Sequence, residues 1–363
     1  MSYSFAKLKD ISVIKTGKLD SNAAVECGAY PFFTCDPQTL SINTWAYDTK
    51  AVLLAGNNAS GNYTAKYYEG KFNAYQRTYI IESFDEDQMN TKFLCYAMNL
   101  QLQLLKSMSS GSTTKFLTIK MLHGLNMPFP HIKTQRRIAS ILSAYDDLIE
   151  NNQKQIKLLE EAAQRLYKEW FVDLRFPGHE SVKVVDGVPE GWRNGVLGEI
   201  AFFKRGKTIT KDQTCEGFIP VVAGGLEPAY FHNQSNTASP VITVSGSGAN
   251  AGFTRMYHVD IWASDCSFVD AQNTDSIYFT YSVLKNKKSD IDALQKGAAQ
   301  PHVYAKDINA LEILVPDPIC LAEFESRVTP IFEKIKTLFL QIELLKQARD
   351  RLLPKLLSGK LEV

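Results

Sequence analysis

The sequence predicts an α+β fold. Two tandem, pseudo-symmetric β-rich modules are separated by two long helices that pair antiparallel as a coiled coil. Three observations predict it. The chain repeats itself at an offset near 189 residues. Each copy passes from short β-branched runs to one short helix. Each copy then ends in a long amphipathic helix.

The repeat is visible from the start. KLKDISVIKTGK (7–18) echoes VLGEIAFFKRGK (196–207), with Leu8, Ile11, Gly17 and Lys18 over Leu197, Ile200, Gly206 and Lys207. The same offset sets Pro31 on Pro220 and AVLLAG (51–56) on PVITVS (240–245). Tyr67 meets Tyr257 and Ala74 meets Ala263, and GSTTKFL (111–117) meets GAAQPHV (297–303) at offset 186. The chain therefore divides into a first module (1–133), a central helix with linker (134–178), a second module (179–318) and a C-terminal helix (319–363).

Within each module the strand signals are short: AVLLAG and TYIIES in the first, PVITVS and CSFVDA in the second. A helix is expected over 92–108, with its counterpart over 276–295. A Gly/Ser/Thr loop and one more apolar run follow, closing at NMPFP (126–130) or LVPDP (314–318).

The long helices carry the clearest periodicity. In the first, the apolar seam is Ile138, Leu142, Tyr145, Ile149, Asn152, Ile156, Leu159, Ala163, Leu166 and Trp170. In the second it is Leu321, Phe324, Val328, Ile331, Ile335, Leu338, Ile342, Leu345, Arg349, Leu352 and Leu356. Steps of three and four alternate, as a coiled coil requires. Offset 186 superposes the seams, and Asn152 and Arg349 are their only strongly polar members. A polar seam residue costs stability and fixes register. Two such helices, each following a globular module, pair most simply antiparallel. A helix over 134–173 would be about 60 Å long at about 1.5 Å per residue. An ordinary bundle helix is the competing reading.

Composition excludes several classes. Hydrophobic content is 45% and charged content 22%, as in a soluble globular protein. No apolar run reaches membrane-spanning length, and the opening MSYSFAKLKD lacks a signal-peptide core, so a cytoplasmic protein is expected. The cysteines at 27, 35, 95, 215, 266 and 320 form no CxxC pair, which argues against zinc and for reduced thiols. Net charge is only +1, so any nucleic-acid binding must rest on local basic patches.

One stretch invites an enzymatic reading. GSGANA (246–251) follows the β-branched run Val241–Val244, with the spacing of a dinucleotide-binding turn. That motif needs a helix directly afterwards. The residues that follow, FTRMYHVDIW, carry no helical stripe, so a glycine-rich turn at the tip of a β-rich module is the better reading. NMPF (126–129) only distantly matches an amino-methyltransferase motif, and the repeat sets LVPD opposite it. Glu69-Gly-Lys71 lacks the further carboxylate of a nuclease. No catalytic residue, bound cofactor or metal site is expected.

Taken in order, VPEGWRNGVLGEI (188–200), QRRIASILSAYDDLIENNQKQIKLLEEAAQRLYKEWF (135–171) and RLLPKLLSGKLEV (351–363) resemble the specificity subunit of Type I restriction-modification enzymes. The resemblance covers essentially the whole chain. One departure is that no counterpart of VPEGW stands before the first module. The resemblance implies that the modules are target-recognition domains, each reading one half of an asymmetric bipartite double-stranded DNA site. It implies that the helices set the gap and dock two methyltransferase subunits, with restriction subunits joining the full complex. AdoMet and ATP with Mg would belong to those partners. The alternatives are a single-chain DNA-modification enzyme and a coiled-coil interaction protein without DNA binding.

DNA-contact candidates follow from chemistry and symmetry. Lys15 and Lys18 match Lys204 and Lys207, with Arg205 adding charge beside glycines where loops meet phosphate. Thr113, Thr114 and Lys115 match Ala299, Gln300 and Pro301; Gln300 suits adenine, and Lys115 suits guanine or phosphate. Asn57 and Asn58 suit base edges or simply a turn, Arg77 and Arg255 suit either purpose, and His302 completes the set. Tyr67 and Tyr257 read as core.

Overall fold

A computed structural model of the chain describes residues 3–59, 61–109, 114–295 and 301–363. They form two compact units. The first holds residues up to Glu150 together with Ile342–Val363, and the second holds Asn151–Gln341.

In unit 1 the strands are β1 (Phe5–Lys7), β2 (Ser12–Thr16), β3 (Tyr30–Phe33), β4 (Leu40–Ile42), β5 (Tyr47–Ala55), β6 (Asn57–Asn58), β7 (Ala65–Ala74), β8 (Thr78–Ser83), β9 (Lys115–Phe116) and β10 (Asn126–Pro128). Six of them build one sheet in the order β2-β8-β5-β7-β3-β4. Its ladders are antiparallel except β3–β7. The apolar run of β5 makes it central, and Ala51–Ala55 are all buried. Helix α1 (Thr91–Met108) starts at Asn90, whose side chain accepts from the Phe93 amide at 3.0 Å. Phe93, Leu94, Ala97, Met98 and Leu105 of α1 are buried and join Val52, Leu54 and Ile81 of the sheet. Helix α2 (Ile132–Tyr167) contributes Ile138 and Leu142 to this core, and the chain's last turns contribute Leu356 and Leu357.

Unit 2 repeats this plan. Its strands are β11 (Val184–Val185), β12 (Val188–Pro189), β13 (Arg193–Val196), β14 (Lys204–Arg205), β15 (Ile219–Val222), β16 (Tyr230–His232), β17 (Val241–Ser245), β18 (Thr254–Tyr257), β19 (Trp262–Ala263), β20 (Cys266–Asp270) and β21 (Glu312–Val315). Two sheets run β14-β20-β17-β18 and β16-β15-β19. The parallel pair β15–β19 answers β3–β7, and β13–β21 answers β1–β10. In unit 1 the ten-residue β7 ties all six strands together. In unit 2 its place is taken by β18 and β19 with residues 258–261 between, so the sheet parts into four strands and three. Helix α3 (Ile277–Asn286) holds the position of α1, and α4 (Pro318–Leu357) that of α2.

Three expectations are corrected. The helix expected over 276–295 breaks at Lys287, whose ψ of 28 interrupts it, and resumes over Lys288–Ala293. The helix expected to reach 173 is α-helical to Tyr167 and ends in a π turn, Lys168–Val172, which places Trp170 and Phe171 in the core. The register of the central strand shifts by one. The Ala55 amide donates to Thr64 and the Ser245 amide to Phe253, so AVLLAG lies on VITVSG (241–246). A one-residue slip reverses every side chain of a strand, and Tyr257 consequently sits where Tyr68 does.

The glycine-rich stretch after β17 forms a turn, Gly248–Asn250. Gly248 at φ +78 and Gly252 at φ +84 let the chain reverse into β18. The long-helix seams are buried or half-buried throughout. In unit 1 Ile138, Leu142, Ile149 and Ile342 are buried, and Tyr145, Leu345 and Leu352 half-buried. In unit 2 Asn152, Val328, Ile335 and Leu338 are buried, and Ile156, Leu159, Leu166 and Ile331 half-buried. Within each unit the early part of one helix lies with the late part of the other, so the pairing is antiparallel. No helix among the described residues is long and apolar enough to cross a membrane.

Candidate nucleic-acid interface

Backbone hydrogen bonds build the same rim in both modules. The Gly17 amide donates to Thr78 and that of Lys18 to Ala74; the Gly206 amide donates to Cys266 and that of Lys207 to Ala263. Gly56 donates to Arg77 and accepts from the Leu117 amide, while Gly246 donates to Asp265 and accepts from Val303. Strand pairing then sets Asn57 against Phe116 and Ser247 against His302. Four positions coincide: Thr16 with Arg205, Asn57 with Ser247, Arg77 with Asp265, and Phe116 with His302.

The frame is common, but the chemistry differs. In the first module Thr16, Asn57, Gln76, Arg77, Tyr79 and Phe116 line a cavity of about 220 Å³. Its guanidinium is exposed at the mouth, beside an amide and a half-exposed aromatic ring. The Tyr79 hydroxyl donates to Leu117 at 2.8 Å and closes the floor. In the second module the Asp265 carboxylate holds both neighbours. It accepts from Arg205 at 2.7 Å and from the Ser247 hydroxyl at 2.6 Å. His302 stacks on Tyr304 beside them. The Cys266 thiol lies beneath this rim; burial pushes it up to about 12, so it is a packing group rather than a nucleophile.

Most of the basic candidates reach this surface. Lys18, Arg77, Lys204, Arg205 and Lys207 are exposed, and Lys115 is half-buried on β9. Lys204 donates to Asn273 at 2.5 Å, and Lys207 lies over the Trp262 ring at 6.0 Å. Lys15 is drawn to Glu82 at 2.5 Å. Thr114 is exposed; Thr113 and Gln300 lie outside the described residues. Two candidates also make contacts within their own module. Arg255 donates to the Leu226 carbonyl at 2.7 Å and lies over the Tyr257 ring at 5.0 Å. The Asn58 side chain accepts from the Asn62 amide and shapes the turn. Tyr257 is buried as expected, but Tyr67 is half-buried and donates to Glu69 at 2.8 Å.

Sequence reasoning missed Thr16, Gln76, Ser247 and Asp265. The signal for them is the strand register, which shows Asp265 facing the glycine turn. It also missed Trp45, exposed with Lys71 at 4.6 Å over its ring. Among the described residues no group of His, Cys, Asp and Glu side chains is arranged to hold a metal ion.

Comparison with known proteins fits this doubled arrangement. A family model described as Type I restriction modification DNA specificity domain matches residues 2–161 and again 189–352. The Type I restriction enzyme MjaIX specificity subunit of Methanocaldococcus jannaschii is 30% identical over 311 residues, 77% of this chain and 71% of that protein. The Escherichia coli EcoDI specificity subunit is 36% identical over 159 residues, 44% of this chain and 34% of that protein. A crystal structure of a Type I restriction-modification S subunit from M. genitalium shares the fold, with a TM-score of 0.64 at 20% identity, over 98% of this chain and 96% of that one.

Proposed function

Because this chain belongs to the family of Type I restriction modification DNA specificity domains, we propose that it is the non-catalytic subunit that reads DNA sequence for a modification and restriction complex. Each module reads one half of an asymmetric bipartite site in double-stranded DNA. Two methyltransferase subunits, docked on α2 and α4 and their ends, carry AdoMet. Restriction subunits carry ATP with Mg and complete the assembly in the cytoplasm. The two helices fix the gap between half-sites.

One observation carries this reading: a single backbone rim appears twice with different side chains on it. Lysine and arginine at a loop rim supply phosphate contacts, which position the protein without reading sequence. Amide, hydroxyl, carboxylate and imidazole groups at the same rim supply donors and acceptors for base edges in the major groove. Thr16, Asn57, Arg77 and Phe116 present a different pattern from Arg205, Ser247, Asp265 and His302, so the half-sites differ.

The test is a mobility-shift and turnover assay on the pure chain, with and without methyltransferase subunits. The chain neither methylates nor cleaves DNA alone, and it confers sequence-selective binding on the complex. Methylation by the pure chain would favour a single-chain enzyme. No DNA binding in either condition would favour a protein-interaction role.

A further inference from the structure

The two long helices are nearly interchangeable. At offset 186 their burial patterns superpose, and the facing residues exchange apolar for apolar: Leu142 for Val328, Ile149 for Ile335, Ile156 for Ile342, Leu159 for Leu345 and Leu166 for Leu352. The polar contact of Asn152 with Gln341, 3.3 Å long, would survive the same exchange, since Gln155 stands where Gln341 does. A second copy of the chain therefore offers α2 a seam almost as good as that of α4.

One position breaks the equivalence. In unit 1 Asp146 of α2 accepts from Arg349 of α4 at 2.6 Å and from the Tyr96 hydroxyl. Asp350 holds the other side of the guanidinium at 2.9 Å. Arg349 is only 29% exposed. In unit 2 the matching positions are Phe332 and Ala163. Phe332 stacks on Tyr278 with ring centroids 4.3 Å apart, in the same apolar cluster as Ala163.

We propose that the Asp146–Arg349 pair makes the helix seam selective, admitting α4 to α2 and excluding the same helix of a second copy. In an α2–α2 pair each Asp146 would face Ala163 and lose its cation. In an α4–α4 pair each Arg349 would face Phe332 of the other copy, lose Asp146 and keep only Asp350 of its own helix. A half-buried charge without its partner is strongly disfavoured, whereas the matched pair costs little. Tethering favours α2 and α4 of one chain over the same two helices of different chains; the ion pair acts on the other arrangements, against α2–α2 and α4–α4.

A single reporter detects the excluded arrangement. In an antiparallel α2–α2 pair Asn152 faces Gln155 of the other copy, which leaves the two Gln155 positions offset by three residues, about 4.5 Å along the axis. In the full-length Gln155→Cys protein, oxidation followed by mass spectrometry should find almost no disulfide joining the introduced thiols of two chains. Adding Asp146→Phe with Arg349→Ala, which installs the unit 2 pair in unit 1, should raise that linkage at least several-fold and make it grow with protein concentration. The milder Asp146→Asn with Arg349→Gln, folded by circular dichroism, should raise it in the same direction. The charge exchange Asp146→Arg with Arg349→Asp should restore the low level. Equal linkage in all four proteins, or abundant linkage with the native pair intact, would overturn the proposal.

Discussion

Gly17 and Gly206 are the same residue twice. A Cβ on Gly17 would lie 2.2 Å from the Ala74 carbonyl oxygen, and one on Gly206 would lie 2.3 Å from that of Ser264. Backbone, not a movable side chain, fills the space in both modules. Gly17→Ala and Gly206→Ala should each destabilise their own module by about 1–3 kcal/mol, the usual cost of forced overpacking. Thermal unfolding should show the loss. In the assembled complex, selectivity should degrade at one half-site only for each variant.

Arg205 and Lys207 lie on the exposed rim of the second module, and Arg205 is held by Asp265 at 2.7 Å. Lys207→Ala should weaken binding to all sequences alike and lower the salt slope by about 0.9 for one lost phosphate contact. Asp265→Asn releases both Arg205 and Ser247, and should alter preference at the second half-site more than it alters overall affinity. Salt titrations on cognate and scrambled duplexes separate the two outcomes.

Glu325 accepts the Phe279 amide at 2.7 Å, near the start of α3. Burial pushes its carboxyl up to about 7, against the opposing pull of the amides of Phe279 and Tyr278. The folded protein therefore holds this proton over a range where the unfolded chain releases it. Stability contributed by Glu325 is highest below the ordinary glutamate range and falls as pH rises toward 7. Glu325→Gln should remove that slope and gain about 1–3 kcal/mol relative to the native protein at pH 8, with little difference at pH 4. Denaturant titrations at both pH values read the difference.

The gap between half-sites should follow helix length. Inserting four residues, one turn or about 6 Å, into both α2 and α4 should lengthen the tolerated gap by one or two base pairs, at about 3.4 Å each. Methylation mapping with the lengthened subunit measures it. An unchanged gap would remove the helices from that role.

The fold was legible because its signals are periodic. The seam from Ile138 to Trp170 names α2, and its superposition on Leu321 to Leu356 names α4. The repeated Gly17-Lys18 and Gly206-Lys207 name the modules. What escaped is what depends on the third dimension. Lys287 interrupts a helix whose sequence remains amphipathic. Strand register shifted by one because AVLLAG fits PVITVS and VITVSG almost equally well. The contacts of Arg255 with the Leu226 carbonyl and the Tyr257 ring depend on where the loop before β16 folds back, which no local pattern carries. Asp265 was invisible because an acidic residue is not sought at a basic rim, yet it fixes Arg205 and Ser247 together.

The most direct measurement exchanges the second module, residues 179–318, for the matching segment of another specificity subunit and maps methylated sites across a genome. The new site should keep the half recognised by the first module and the native gap, and change only the other half. A site altered in both halves, or unaltered in either, would contradict a chain that reads DNA with two independent modules.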